Sequence, residues 1–264
     1  MAHNARRIEI VRRIGLGEVE SLLWDGNDAH GRLRVTQVGE YRYLVFGDEC
    51  EQSCMYLPDP AWLEYDYTRG MLLGALLHQA PQEALFLGLG AGSLLHAAQQ
   101  KLGVPSLRVL ELREQVPELC RAYFQLERLH GLQVSLGAAA DLIDQQLPAD
   151  LVFMDLYGDE GPSAEHLNWG FLSACWQRLK PGGWLIINQW TAENGAPFAA
   201  PLLRGLFTRR YWECPVCEGN VLLWVPGPQT DAPDFDALQA RVSAVQATLG
   251  YDLSRLLQGV RPAS

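Results

Sequence analysis

Ala84-Leu85-Phe86-Leu87-Gly88-Leu89-Gly90-Ala91-Gly92-Ser93-Leu94-Leu95 is the stretch that decides the fold. Four apolar residues with a glycine cluster straight behind them read as a short buried strand running into a tight turn. Apolar residues then recur at helical spacing over 94–102. Strand, glycine turn and helix start together make a place where a ligand can approach the backbone. Glycine carries no Cβ to clash, and the first helical turn offers free N–H groups.

Outward from this stretch the same alternation continues. Strands are expected at 107–112, 133–136, 150–154 and 184–188, with helices at 116–129, 141–146 and 167–179 between them. Continuous apolar strands separated by helices predict an α/β fold, a doubly wound Rossmann-like sheet covered on both faces. Residues 201–207 read as a helix. Residues 211–214 and 220–225 read as a hairpin, giving a seven-stranded sheet with an antiparallel edge. A single amphipathic helix is expected over 235–257. Upstream, 33–38 and 41–46 read as strands around a Gly39-Glu40 turn, Leu57-Pro58-Asp59-Pro60 as a boundary, and 61–78 as a helix. The expected division is a small N-terminal β domain over 1–60 and a nucleoside-binding domain over 61–264.

Three motifs carry chemistry. Gly88, Gly90 and Gly92 form the turn that would cradle a nucleoside ligand. Glu111 ends the next strand, 19 residues after Gly92, where a carboxylate can accept hydrogen bonds from ribose hydroxyls. A dinucleotide fingerprint would place a third glycine where Ser93 stands, which disfavours NAD. Asp155 closes the apolar run Leu151-Val152-Phe153-Met154. In an open α/β sheet that end faces the ligand crevice, and a carboxyl at a desolvated rim suits a general base. Lys180-Pro181-Gly182-Gly183 ends a helix and opens a strand, a structural role.

Composition excludes several classes. The chain has 264 residues, 48% of them hydrophobic, and a formal net charge of −10. An acidic surface argues against nucleic acid, which is held by Lys and Arg; a cationic small molecule remains compatible. The charged N-terminus lacks the apolar run of an export signal, so a cytoplasmic protein with reduced thiols is expected, with no membrane span. Cys214-x-x-Cys217 has neither a second pair nor a nearby His and reads as ordinary thiols, so no metal is expected. Ser53 and Ser93 lack a His-Asp arrangement, which excludes a serine nucleophile.

On these residues the chain, over about 32–226, resembles the spermidine synthase family, and more closely its divergent bacterial members. The N-terminal β segment is shared with that family. Phe86 stands where the family is apolar and methyltransferases are acidic. Tyr67 matches a substrate-gating Tyr, Asp155 the catalytic Asp, and Gly161-Pro162 a Gly-Pro that follows it. The resemblance implies a class I S-adenosylmethionine-type transferase fold, an aminopropyl transfer, a polyamine acceptor, a homodimer and no metal. It implies that the donor, S-adenosylmethionine or its decarboxylated form, contacts Gly88, Gly90, Ala91, Gly92, Glu111, Leu112 and Ala138. It further implies that Tyr67, Tyr157 and Asp159 face the acceptor.

Four positions depart from the family pattern. Ala91 replaces an Asp that holds the aminopropyl amine, Arg113 an Asp after the ribose Glu, Ala138 an Asp that reads adenine, and Gly158 a second substrate carboxylate beside Asp159. The nucleoside pocket is thus retained and the diamine clamp thinned. Ala91 would leave room for the carboxylate of ordinary S-adenosylmethionine. Methyl transfer to a small acceptor, with Asp155-Leu156-Tyr157 orienting the nucleophile, and nucleoside binding without catalysis are the alternatives.

Overall fold

The computed structural model describes residue 13 and residues 17–47, 50–158, 161–162, 166–192 and 195–263. Two sheets organise them. Strands β1 (Glu20–Asp28), β2 (Gly31–Val38), β3 (Tyr41–Phe46) and β4 (Cys50–Tyr56) form an antiparallel sheet in sequence order. The turn read at Gly39-Glu40 joins β2 to β3, with Val38 opposite Tyr41.

The second sheet has β5 (Glu83–Leu87), β6 (Ser106–Glu111), β7 (Leu132–Leu136), β8 (Ala149–Met154) and β11 (Leu179–Trp190), all parallel. Two short strands, β9 (Tyr157–Gly158) and β10 (Gly161–Pro162), pair with each other just beyond β8. Strands β12 (Trp212–Pro215) and β13 (Asn220–Pro226) form the expected antiparallel edge, and β13 lies against β11. A two-residue strand β14 (Arg261–Pro262) adds an eighth member beside β12. The order is β14-β12-β13-β11-β8-β5-β6-β7. Connections leave β5 toward β6 on one side and reach β8 on the other. The crevice at the carboxyl ends of β5 and β8 is therefore the topological switch point, where ligands of open α/β sheets bind.

Strand periodicity sorts the core onto two faces. Phe86, Phe153, Ile186 and Trp224 point one way, with Phe86 and Phe153 stacked 4.6 Å apart. Leu85, Val152, Ile187 and Leu223 point the other way. Helices α1 (Asp66–Ala75), α2 (Ser93–Leu102) and α3 (Gln115–Tyr123) cover the first face, joined there by Leu33, Leu44 and Met55 of the N-terminal sheet. Helices α5 (Trp169–Gln177) and α6 (Ala200–Phe207) cover the second, with the single-turn α4 (Ala139–Leu142).

Several expected helices are shorter, for identifiable reasons. Helix α1 starts at Asp66 rather than 61 because Glu64 is held by side chains: its carboxylate accepts from Arg13, Tyr41 and the Trp62 indole. Gln125 at φ 55° stops α3 before 129. Gly250 at φ 80° divides the segment read as one helix into α7 (Phe235–Leu249) and α8 (Ser254–Gln258). Left-handed backbone ends a helix. No helix among the described residues is long and apolar enough to cross a membrane.

Candidate active site

The glycine turn, Glu111 and Asp155 meet at the switch point. The Gly88 N–H donates to Leu110 O at 2.9 Å, and the Asp155 N–H to Leu87 O at 3.1 Å, so the ends of β5, β6 and β8 are laced together. Gly88 has φ 96°, and a Cβ built there would stand 2.5 Å from Asp155 O. Its conformation and the closeness of the next strand both demand glycine.

Glu111 is 7% exposed. Its Oε2 accepts from the Leu89 N–H at 3.0 Å and its Oε1 from the Arg113 N–H at 2.9 Å. Burial raises its pKa, and the backbone N–H donors oppose that shift. Each oxygen keeps a lone pair, so the carboxylate can hold the turn and still accept from a ligand hydroxyl.

Asp155 lies half-buried beyond β8. Its Oδ1 accepts from Asn188 Nδ2 at 2.8 Å, and Asn188 Oδ1 accepts from Asn220 Nδ2 at 2.8 Å. Burial pushes the Asp155 pKa up to about 6, against the pull of the Asn188 hydrogen bond. Two phenols stand close. Burial pushes Tyr67 and Tyr157 well above the usual tyrosine range, and the Asp155 charge adds to both shifts. They stay neutral donors. Tyr67 stacks on Tyr65 at 5.7 Å, and Tyr157 lies 5.6 Å from Trp190. A carboxylate that titrates near 6 beside neutral phenols can take a proton from a substrate nitrogen at neutral pH.

No family model matches the chain. It is 24% identical over 237 residues to a polyamine aminopropyltransferase of Chromobacterium violaceum, across 89% of this chain and 91% of the relative. The chain is a homologue of the polyamine aminopropyltransferases. Its fold is that of a spermidine synthase solved in complex with the transition-state analogue AdoDATO, with a TM-score of 0.63 at 15% identity over 90% of this chain and 84% of that one. Human methyltransferase-like protein 13, solved in complex with SAH, shares it with a TM-score of 0.61 at 18% identity, over 70% of this chain and 92% of that one.

In this aminopropyltransferase homologue the residues read from sequence fall as follows. Gly88, Gly90, Gly92 and Glu111 gather at the mouth of β5 and β6. Leu112 and Leu136 stand at the ends of β6 and β7, 45% and 49% exposed, an apolar rim beside Ala138. Tyr67 and Tyr157 gather at Asp155. Asp159 lies outside the described residues. Ala91 is 1% exposed, and its N–H donates to Ser53 Oγ at 2.7 Å. Ser93 Oγ in turn donates to Cys54 O at 2.7 Å, so β4 is fastened across the turn.

Sequence reasoning missed these fasteners. It weighed Ser53 and Ser93 as nucleophiles and dropped them, whereas they tie the N-terminal sheet to the glycine turn. Arg113 is likewise turned away from the crevice. It is 4% exposed, donates to both Asp28 oxygens at 2.9 and 2.7 Å and to Gly31 O at 2.8 Å, and lies 4.5 Å above the Phe46 ring. Cys214 is buried in the core, while Cys217 is exposed on the β12–β13 turn, grouped with Asp66 and Glu218. Arg255 pairs with Asp66 in that group.

Proposed function

We propose that this chain transfers an aminopropyl group from decarboxylated S-adenosylmethionine to an amine, with Asp155 as general base. The observation that carries the reading is the Asp155 carboxyl, raised to about 6 at the switch point and one backbone contact from the glycine turn. Similarity to polyamine aminopropyltransferases over nearly the whole chain supports it. Gly88, Gly90 and Gly92 would cradle the nucleoside, Glu111 would accept from its ribose, and Leu112 and Ala138 would flank its base. Tyr67, Tyr157 and Asp159 would line the acceptor side. We assign residues 1–60 to a small β domain and the remainder to the catalytic domain, in a homodimeric cytoplasmic enzyme.

The chemistry follows from the charges. An alkyl amine is protonated at neutral pH, with a pKa near ~10.4. Asp155 accepts a proton from it. The freed nitrogen lone pair attacks the carbon beside the sulfonium, the C–S bond breaks with its electrons going to sulfur, and methylthioadenosine leaves. Holding nitrogen, carbon and sulfur in line supplies much of the acceleration. Neutral phenols at Tyr67 and Tyr157 can hydrogen-bond the amine without repelling it.

Product analysis tests the reading. Incubation with decarboxylated S-adenosylmethionine and a panel of diamines and polyamines is expected to yield methylthioadenosine and an amine extended by one aminopropyl unit. S-adenosylhomocysteine formed from the ordinary donor would replace the reading with methyl transfer. Nucleoside binding with neither product would leave a binding protein.

A further inference from the structure

The strands beside the crevice are apolar where they cross the core, yet buried amides interrupt them, and two of these lead to Asp155. Asn188 ends the run Leu185-Ile186-Ile187 on β11, and Asn220 opens β13 ahead of Val221-Leu222-Leu223. Asn188 is 4% exposed and Asn220 is also buried. Burying an amide costs free energy unless its groups are paired. Here each amide finds a partner in one line that ends on Asp155: Asn220 Nδ2 donates to Asn188 Oδ1 at 2.8 Å, and Asn188 Nδ2 donates to Asp155 Oδ1 at 2.8 Å.

We propose that Asn188 and Asn220 are positioning residues, which hold Asp155 by Oδ1 and leave Oδ2 to meet the acceptor amine. This rests on the reading of Asp155 as the base. An ionised carboxylate only accepts, so the NH2 end of Asn188 must face it. The flipped amide would set its oxygen against the carboxylate and its NH2 against that of Asn220. Asn220 thereby locks the rotation of an amide that would otherwise have two orientations, although it does not touch Asp155 itself.

The electrostatics agree with the geometry. Burial drives Asp155 toward its neutral form, and Asn188 is the group that opposes it, with no cation among the described residues acting on the carboxylate. The other groups around the site are Tyr67 of α1, Tyr157 after β8, Cys54 of β4 and Glu218 of the β12–β13 turn. The tyrosines stay neutral, and the acidic groups among these cannot favour a charged Asp155. A donor hydrogen bond to the charged form stabilises that form. Asn188 thus keeps a desolvated, half-buried base usable near neutral pH.

The test follows the Asp155 carboxyl by carbon NMR, its resonance assigned by loss in Asp155→Asn. The titration midpoint is expected to rise by about one unit in Asn188→Leu, and by a smaller amount in the same direction in Asn220→Leu. Asn188→Asp keeps the shape, removes the donor and adds a like charge. It serves if the leucine variants do not fold, and its midpoint is expected to rise further. An unchanged midpoint in folded Asn188→Leu or Asn188→Asp overturns the proposal, and an unchanged midpoint in folded Asn220→Leu overturns the part assigned to Asn220. With an active acceptor in hand, the acid limb of kcat is expected to move with the midpoint while donor KM stays constant; a purely structural pair would move neither. The titration reads the wild type whether or not it turns over any amine, so failure of the functional reading is seen separately, as absence of product.

Discussion

At the residue scale the site turns on two carboxylates with opposite tasks. As the proposed base Asp155 changes charge during turnover, and its pKa of about 6 lies above an unfolded value of about 3.9. A carboxyl raised by folding contributes most to stability below about pH 4, and that contribution is lost as pH rises through about 6. Asp155→Asn is therefore expected to abolish turnover and to stabilise the fold at pH 7.5 by on the order of 1–3 kcal/mol, with the gain vanishing near pH 4. Urea unfolding at the two pH values reads the stability, and donor titration should show nearly unchanged affinity. The wild-type rate should fall as pH drops through about 6. Glu111 instead holds the turn through Leu89, and the proposed function has it accept from the ribose. Glu111→Ala should weaken nucleoside binding by about 2–3 kcal/mol, the scale of hydrogen bonds to a charged group. Equal affinity by calorimetry in a folded mutant would remove Glu111 from the site.

At the element scale the crevice depends on how closely its pieces approach. The β5–α2 turn touches the end of β8 so tightly that a Cβ at Gly88 would meet Asp155 O at 2.5 Å. Gly88→Ala must move one strand end against the other and strain a left-handed backbone. A loss of about 2 kcal/mol or more is expected, together with loss of donor binding. Stability at the wild-type level in thermal melts would show that the two strand ends can part freely. The β1–β2 hairpin is held to the end of β6 by Arg113. Burial pulls Asp28 upward, but hydrogen bonds from Arg113 and the His30 N–H outweigh it and hold its pKa below the ordinary value. That contribution is present at neutral pH and lost as pH falls through the lowered pKa. Arg113→Met strands a partly buried carboxylate and should cost about 3 kcal/mol in urea unfolding at pH 7, and less in acid. An equal cost at pH 7 and pH 3 would assign the loss to packing on Phe46 instead.

At the scale of the whole molecule, one face of the large sheet shares its core with the N-terminal sheet, and β4 is fastened across the glycine turn. The N-terminal sheet is thus fixed against the glycine turn. Strand β1 is an outer edge that exposes Leu22 and Leu23, a surface suited to association. A dimer is expected by sedimentation at micromolar concentration, and a lone monomer there would count against the family analogy.

The sequence by itself determined the parallel sheet, the antiparallel edge, the glycine turn and the strand-end placement of Glu111 and Asp155. These follow from local periodicity and from residues a few positions apart, because strand, turn and helix start are short-range structures. Helix ends were legible only in part. Glu64 is taken up by Arg13 and Tyr41, partners far away in the chain, and Gly250 and Gln125 act through left-handed backbone that spacing does not reveal. Only the tertiary structure decided the rest of the crevice. Ser53 reaches Ala91 across 38 residues, Asp28 reaches Arg113 across 85, and Asn188 reaches Asp155 across 33. Each is a pairing of polar groups brought together by sheet order. Its physical reason is the need of a buried polar atom for a partner, which no stretch of sequence can name until folding has chosen its neighbours.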